Sequence, residues 1–292
     1  MTSERTVSTR VPVGAALLRQ LDHVVLAVHD LERAVEDFRA LGFTVTPGGQ
    51  HPGRTSHNAL VAFEDGAYIE IIAWHAPATE ERWWQTLQTC GEGLVDHALL
   101  PVSVEPVLAA AQARGLLTLR GPIPGSRHRP DGIRIAWESA RHDAPDVPFL
   151  CADLTPRALR VPEGAARQHS NGATGIARVA VAARDFGRSA ARWIALLGPG
   201  SPLRALPSEL GLSRARYRLS STEFELFGLK DTPRSTSPAI DPDVFGWARE
   251  RLNQTGEGYG EGPFAIWLRG EKTGRTLDLT RCHGAHIVLG NL

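Results

Sequence analysis

The stretch that decides the fold is residues 21–30, LDHVVLAVHD, where an acidic residue and a histidine precede a run of apolar residues. Asp30 is a residue type that caps helices. Apolar residues follow it at the spacing of one helical face: Leu31, Ala34, Val35 and Phe38. The pattern predicts a strand followed by a helix that begins near Leu31.

The same order of residues recurs twice further along the chain. Residues 94–103, LVDHALLPVS, again place an acidic residue and a histidine before a helical pattern. Residues 175–182, GIARVAVA, form a third, altered copy. Each copy is followed by shorter strand patterns. The repeat predicts an α+β protein of tandem βαβββ modules, whose curved mixed sheets surround a concave cavity.

A fourth copy is incomplete in the sequence. It consists of a helical pattern at residues 244–252 and strand patterns at 264–268, 277–280 and 287–289, with no opening strand that we can recognise.

The repeats suggest how the chain divides. We expect an N-terminal arm at 1–19, a domain of two modules at 20–154, a linker at 155–172 and a second, degenerate half at 173–292. The linker is expected because this stretch is rich in Pro, Gly, Arg and Ala and has no clear periodicity.

Charge and cysteine content narrow the class of function. The 292 residues include 32 Lys and Arg and 32 Asp and Glu, so neither nucleic acid nor a membrane surface is an expected partner. The expected partner is a small-molecule substrate. Assembly as a homodimer is compatible with the sequence, which does not decide the oligomeric state. Three widely spaced cysteines fit a reducing compartment, so the expected location is the cytoplasm.

Two histidines and one carboxylate form the predicted site. His23 shares one strand face with apolar residues, and His97 occupies the matching position of the second copy. Glu70 lies in residues 68–74, YIEIIAW, where a buried carboxylate needs a paired charge or a bound cation. These donors suit a divalent ion such as Fe, Mn or Zn. The alternative is that the histidines are hydrogen-bonded core residues and that Glu70 pairs with protonated His23 or an arginine, without a metal.

The repeats, with His23 in the first strand, Glu70 in the fourth and His97 in the first strand of the next copy, resemble the vicinal oxygen chelate superfamily. The chain is similar in particular to bacterial glyoxalase-like domain proteins, through residues 51–54 (HPGR), 129–132 (RPDG) and 169–175 (HSNGATG). The superfamily includes isomerases, extradiol dioxygenases, epimerases, thiol transferases and drug-sequestering proteins, so the fold does not decide the reaction.

The resemblance implies a divalent metal on the concave face that chelates vicinal oxygens of a substrate. His23, Glu70 and His97 match three of the four usual ligand positions. The fourth position falls in residues 147–153, where Cys151, Asp153 or water would have to serve.

Two further residues are candidate catalytic groups. His57 follows a loop and is a candidate acid–base or orienting group. Arg129 lies in the connection 125–132, a candidate lid, where it would bind an anionic substrate group. The alternative for both is a solvated loop position. In the third copy, Arg178 replaces the histidine and Glu225 matches Glu70, which predicts an internal ion pair in place of a metal.

These residues lead to two functional hypotheses. The leading one is a metal-dependent enzyme, dioxygenase-like or of an isomerase or lyase type, that acts on a small oxygen-bearing metabolite. The other is a metal-free protein that binds or sequesters a small molecule in the same cavity. Metal content distinguishes the two.

Overall fold

Two curved mixed sheets make up the protein, which confirms the predicted α+β class with repeated modules. The computed structural model describes residues 17–199, 203–229, 242–254 and 260–291. No helix within these ranges has both the length and the apolar character needed to span a membrane. Most of the predicted N-terminal arm lies outside the described residues, and the first strand begins at Leu18.

The first half is a closed eight-stranded barrel. Its two modules each contain a strand, a helix and three further strands, as the sequence predicts. The strands are β1 (Leu18–Ala27), β2 (Thr46–Gln50), β3 (Ser56–Ala62), β4 (Tyr68–Trp74), β5 (Gly93–Pro101), β6 (Arg120–His128), β7 (Arg134–Arg141) and β8 (Phe149–Asp153). The helices are α1 (Leu31–Ala40), α2 (Arg82–Cys90) and α3 (Val104–Ala113). The barrel order is β1-β4-β3-β2-β6-β7-β8-β5, so the modules meet where β1 pairs with β5 and β2 with β6.

Helix α1 shows how local sequence positions these elements. The helix begins where the Asp30 carboxylate accepts a hydrogen bond from the Arg33 backbone N–H at 2.9 Å. Leu31, Ala34 and Phe38 are buried on one face. The helix packs on β3 and β4 from outside the barrel, so the inner faces of these strands are available for a site.

The described residues of the second half form an open seven-stranded sheet in the order β10-β11-β12-β9-β13-β15-β14. The strands are β9 (Gly175–Ala182), β10 (Arg204–Glu209), β11 (Leu212–Leu219), β12 (Thr222–Leu229), β13 (Gly262–Thr273), β14 (Arg275–Thr276) and β15 (His286–Asn291). The helices are α5 (Phe186–Leu197) and α6 (Pro242–Asn253).

The fourth module has an opening strand, which corrects the prediction that it lacks one. Strand β13 pairs antiparallel with β9, as β5 does with β1, and β15 pairs parallel with β13, as β8 does with β5. The module is incomplete for another reason: β14 starts two residues after β13 ends, so no helix lies between them. The predicted strand at 277–280 is wrong, because residues 279–284 form turns.

Helix α5 packs the second half against the first. Trp193 is fully buried, and its Nε1 donates to the Asp146 carbonyl at 2.9 Å. Arg114, which directly follows α3, donates to the carbonyls of Ala195 and Leu196 at 2.6 and 3.0 Å, which satisfies the C-terminal end of α5. One buried apolar cluster includes residues of both halves.

The segment 155–172, predicted as a linker, packs closely on the first barrel. It contains α4 (Arg157–Arg160) and a 3-10 turn at Gly164–Arg167. Arg157 donates to the Gly66 carbonyl at 2.7 Å, and the Arg160 side chain is only 3% exposed. The segment therefore contributes side chains to the first half.

Candidate functional site

The first-half barrel contains a cavity of about 350 Å³. This volume lies in the range of small-molecule sites, about 300–1,000 Å³. Aromatic, cationic and hydrogen-bonded polar side chains line it. The residues that define its chemistry are His23, Asn58, Glu70, Arg141, Phe149 and Cys151.

A β-bulge in β1 brings Asp22 and His23 to the same site. Strands β1 and β5 pair Leu21 with Leu99 and His23 with Ala98, so Asp22 is an extra residue on β1. An extra residue interrupts the alternation of side chains along a strand. The two consecutive side chains can therefore contact each other, and His23 Nδ1 lies 2.7 Å from Asp22 Oδ2.

His23 connects two buried carboxylates. Its Nδ1 is hydrogen-bonded to Asp22, and its Nε2 lies 3.3 Å from Glu70 Oε2. Glu70 Oε1 accepts a hydrogen bond from Asn58 Nδ2 at 2.6 Å. The His23 ring stacks on Tyr68 with a centroid distance of 4.6 Å. Asp22, His23, Glu70 and Asn58 thus form one buried hydrogen-bonded chain.

In this hydrogen-bonded group, neighbouring charges and hydrogen bonds shift the pKa values more than burial does. Burial alone would lower the pKa of His23, but hydrogen bonds to Asp22 and Glu70 raise it above its ordinary value. Burial alone would raise the pKa of Glu70, but the hydrogen bond and charge of His23 lower it to about 2. Burial likewise opposes ionisation of Asp22, yet Arg160 and Arg157 hold its pKa well below the ordinary value. These shifts favour an imidazolium between two carboxylates.

Sequence reasoning missed the arginines behind Asp22. Arg160 donates to both Asp22 carboxylate oxygens, at 2.8 and 3.0 Å, and to the Tyr68 hydroxyl at 2.7 Å. Arg157 Nη1 lies 2.6 Å from Asp22 Oδ1. Both arginines belong to the stretch predicted as a linker, where no periodic pattern links them to the barrel.

His97 does not join His23 and Glu70, contrary to the prediction. It lies opposite Val24 in the antiparallel pair of β1 and β5, and opposite residues share a face. Val24 belongs to the core outside the cavity. The fully buried His97 ring stacks on Trp193 at 5.8 Å, and its nitrogens have no hydrogen-bond partner among the described residues. Burial lowers the pKa of His97 to about 4.

The position of the bulge explains this difference between the two Asp-His pairs. In β1 the extra residue is Asp22 itself. In β5 the extra residue is Val95, because Val25 pairs with Asp96 and Leu26 with Leu94. The alternation is therefore interrupted before Asp96, and His97 is left on the outer face.

The residues beside His23 do not fit a metal centre. The neighbouring positions on β5 and β8 are Ala98 and Phe149, which have no donor atom. Burial raises the pKa of the cavity-lining Cys151 thiol to about 12, and Asp153 is paired with two arginines. Among the described residues, no three His, Cys, Asp or Glu side chains form a group that could hold an ion. Protein zinc and non-haem iron sites commonly use three or more protein donors.

The two predicted catalytic residues do not line this cavity. His57 precedes the cavity-lining Asn58 on β3, so it points to the opposite face. Its ring stacks on His75 at 3.7 Å, and burial lowers its pKa. Arg129 forms an ion pair with Asp131 at 2.8 Å, in the turn after β6.

The connection 125–132 is not a long lid. Residues 125–128 belong to β6 and pair with β7, for example Ser126 with Ala136. The rest is a tight turn in which the Arg129 N–H donates to the Ile133 carbonyl at 2.9 Å. The paired strand places Ser126 in the cavity wall and Arg129 outside it.

Arg141, like Arg157 and Arg160, is a residue that sequence reasoning missed. Its Cζ lies 4.5 Å from the Trp83 ring centroid and 4.3 Å from that of Phe149. Asp96 Oδ2 lies 3.9 Å from Arg141 Nη1 and already accepts hydrogen bonds from Trp83 and Arg82. Burial lowers the pKa of Arg141 from its ordinary value. Arg141 therefore places a guanidinium against two aromatic rings in the cavity wall.

The ion pair predicted in the second half is confirmed. Arg178 Nη1 lies 3.7 Å from Glu225 Oε2, and Glu225 is fully buried. Glu225 also accepts hydrogen bonds from Arg214 at 2.8 Å and Arg216 at 3.2 Å. Three arginines thus surround the carboxylate that corresponds to Glu70.

Solved structures share this fold at low sequence identity. A hypothetical protein from Staphylococcus aureus is 13% identical, with a TM-score of 0.64 over 92% of this chain and 98% of its own. A fusion of a xylose isomerase-like TIM barrel with 4-hydroxyphenylpyruvate dioxygenase is 14% identical, with a TM-score of 0.52 over 93% of this chain and 39% of its own. A mutant of 4-hydroxymandelate synthase from Streptomyces coelicolor is 17% identical, with a TM-score of 0.55 over 87% of this chain and 72% of its own.

Sequence comparison gives the family. No curated protein matches the sequence, but residues 21–197, more than half of the chain, match the glyoxalase-like domain family. The matched region begins within β1 and includes the remaining strands of the first barrel. The chain therefore belongs to the glyoxalase-like domain family.

Proposed function

We propose that the first-half barrel binds a small organic molecule without a resident metal ion. The observation that carries the proposal is a cavity of about 350 Å³ in which the strand positions beside His23 are Ala98 and Phe149. These side chains make an apolar wall where a metal centre would need donors. An apolar cavity of about 150 Å³ already accepts benzene, so this cavity has room for one or two substituted rings.

The polar groups of the cavity support binding in a defined orientation. His23, Glu70 and Asn58 hold one another, and Arg160 fixes Asp22 behind them. Polar groups fixed by such contacts are preorganised, so little ordering is needed when a ligand binds.

The competing function is the metal-dependent enzyme, dioxygenase- or isomerase-like, that the sequence predicted. Two solved structures with this fold are named as a dioxygenase fusion protein and a synthase mutant, which is why this function is tested beside the first. In its favour, His23 Nε2 and Glu70 Oε2 lie 3.3 Å apart on the cavity wall. Against it, an ion would have to displace the hydrogen bond between them and find further donors beyond Ala98 and Phe149.

Binding before and after metal removal separates the two functions. The full chain is treated with EDTA, its metal content is measured by elemental analysis, and one- and two-ring aromatic anions, neutral compounds and cations are titrated. Quenching of tryptophan fluorescence reports binding, because Trp83 and Trp137 line the cavity. We expect at least one compound to bind with the same Kd before and after EDTA. Loss of affinity on chelation that a divalent ion restores, or binding of no compound, contradicts the proposal.

A matched pair of variants locates the binding site. Ser126 on β6 lines the cavity, whereas Ser213 lies on β11 in the second half. Ser126→Trp should fill the cavity and weaken binding by at least about tenfold, while Ser213→Trp should leave the Kd unchanged. Circular dichroism checks that both variants fold. Unchanged binding in a folded Ser126→Trp variant would place the ligand outside the cavity.

A further inference from the structure

The arginines that line the first-half cavity indicate which charge a ligand would carry. Five arginines and two glutamates line it among the described residues. Four of these arginines are already held by a carboxylate, a backbone carbonyl or a hydroxyl of the protein: Arg54 by Glu81, Arg127 by Gly48, Arg134 by Ser126 and Arg160 by Asp22.

The fifth arginine, Arg141, forms an ion pair with Asp96 and lies beside two aromatic rings. Within the part of the chain that the structure describes, its guanidinium makes no hydrogen bond, and 34% of its side chain is exposed. The Asp96 carboxylate at 3.9 Å is shared with Arg82 and Trp83. Aromatic rings of Trp83 and Phe149 lie against the guanidinium. Its N–H donors lie in the guanidinium plane and are the groups left for a ligand.

The Glu70 side of the cavity does not require a cation. Both Glu70 oxygens already contact donors, from Asn58 at 2.6 Å and His23 at 3.3 Å. On the opposite side, Arg141 presents a positive charge beside the aromatic rings, and its Asp96 partner is shared with Arg82 and Trp83. A ligand that supplies an anion there would gain a charge-assisted hydrogen bond.

An aromatic wall connects the two polar sides. The Phe149 ring centroid lies 5.3 Å from that of His23 and 4.3 Å from Arg141 Cζ. The His23 ring and the Arg141 guanidinium therefore both lie beside the same aromatic ring. Trp83 and Trp137 extend the wall.

We propose that the cavity takes a planar aromatic carboxylate, whose acid group binds the Arg141 guanidinium and whose ring packs against the wall formed by Phe149, Trp83 and Trp137. The carboxylate is the favoured anion because its two oxygens match the forked donors of arginine. This assignment of a ligand class rests on the proposed function as a binding protein.

Three compounds with one ring system and different charges test the assignment: 2-naphthoate, 2-naphthamide and 2-naphthylmethylamine. Each is titrated calorimetrically into the EDTA-treated full chain. We expect 2-naphthoate to bind at least about tenfold more tightly than the amide, and the amine to bind most weakly. Arg141→Met, which keeps much of the side-chain volume, should remove the preference for the acid over the amide.

Two further variants keep the test decisive. Arg129→Met removes an arginine outside the cavity and should leave all three affinities unchanged. If Arg141→Met folds poorly, Arg141→Lys keeps the charge without the forked donors. Its affinity for the acid should lie between the wild-type affinities for the acid and for the amide.

Different results would overturn the ligand class and the proposed function. Equal affinities for the acid and the amide in the wild type, an acid preference that survives Arg141→Met, or no binding of 2-naphthoate overturns the ligand class. The proposed function survives these results if another aromatic compound binds independently of metal. Binding that is lost on chelation and restored by a divalent ion overturns the proposed function itself.

Discussion

Strands β1 and β4 of the first half hold His23 and Glu70 beside an open cavity, whereas β9 and β12 of the second half hold Arg178 and Glu225 in a cluster of charges. Both halves bury a carboxylate on the fourth strand of a module. The first half satisfies it with an imidazole and an amide, and the second with guanidinium groups.

The comparison shows that one module can hold a buried carboxylate in two ways. Imidazole and amide groups are compact, and the first half keeps a cavity beside them. The arginines of the second half extend across the inner face of their sheet to reach Glu225. The sheets differ as well: pairing of β2 with β6 helps to close the first barrel, whereas the described strands of the second half form an open sheet.

The largest expected effect is in the second half. Glu225→Ala removes the buried carboxylate that three arginines contact, so we expect the free energy of unfolding to fall by about 3–5 kcal/mol. Glu223→Ala, on the same strand and 25% exposed, should cost less than about 1 kcal/mol. Urea unfolding of the two variants measures the difference. Similar losses in both would mean that the cluster around Glu225 has no special role.

In the first half, the effect of the carboxylate should depend on pH. Folding lowers the pKa of Glu70 from 4.5 to about 2. The stabilisation by ionised Glu70 is therefore complete above pH 4.5 and is lost as the pH falls toward 2, with an order of magnitude of about 3 kcal/mol. Glu70→Gln should flatten the stability profile in this window. An unchanged slope in urea unfolding between these pH values would show that Glu70 is not held as described.

The smallest expected effect at neutral pH comes from His97. Because its ring nitrogens have no hydrogen-bond partner among the described residues, His97→Phe should change stability by less than about 1 kcal/mol at pH 7. Folding lowers the pKa of His97 from 6.5 to about 4, so the wild type loses stability as the pH falls through this range and the variant should lose less. Thermal unfolding from pH 7 to pH 4 tests both points. A metal that is bound by the wild type and lost from His97→Phe would contradict the assignment of His97 to the core.

The module order was predictable because its signals are local. An apolar run, the cap at Asp30 and apolar residues at helical spacing specify β1 and α1 without distant contacts. The strand pattern at 264–268 was predicted, but its role as the opening strand β13 was not recognised, because it lacks an Asp-His pair and has no helix after it. It is recognised by its pairing with β9, which is a tertiary property.

The site was only partly predictable. His23 and Glu70 were found because polar residues within apolar strands are unusual. His97 was misassigned because the bulges of β1 and β5 fall at different positions, and a bulge is not readable from alternation alone. Arg160 contacts Asp22 across 138 positions of sequence, so no local pattern connects the two.

The first half should bind its ligand without a metal. The most direct measurement is a calorimetric titration of 2-naphthoate into the full chain after EDTA treatment, repeated after a divalent ion is added back. We predict one molecule bound per chain, with the same Kd in both titrations. Binding that appears only after the ion is restored would contradict the claim and support the metal-dependent enzyme instead.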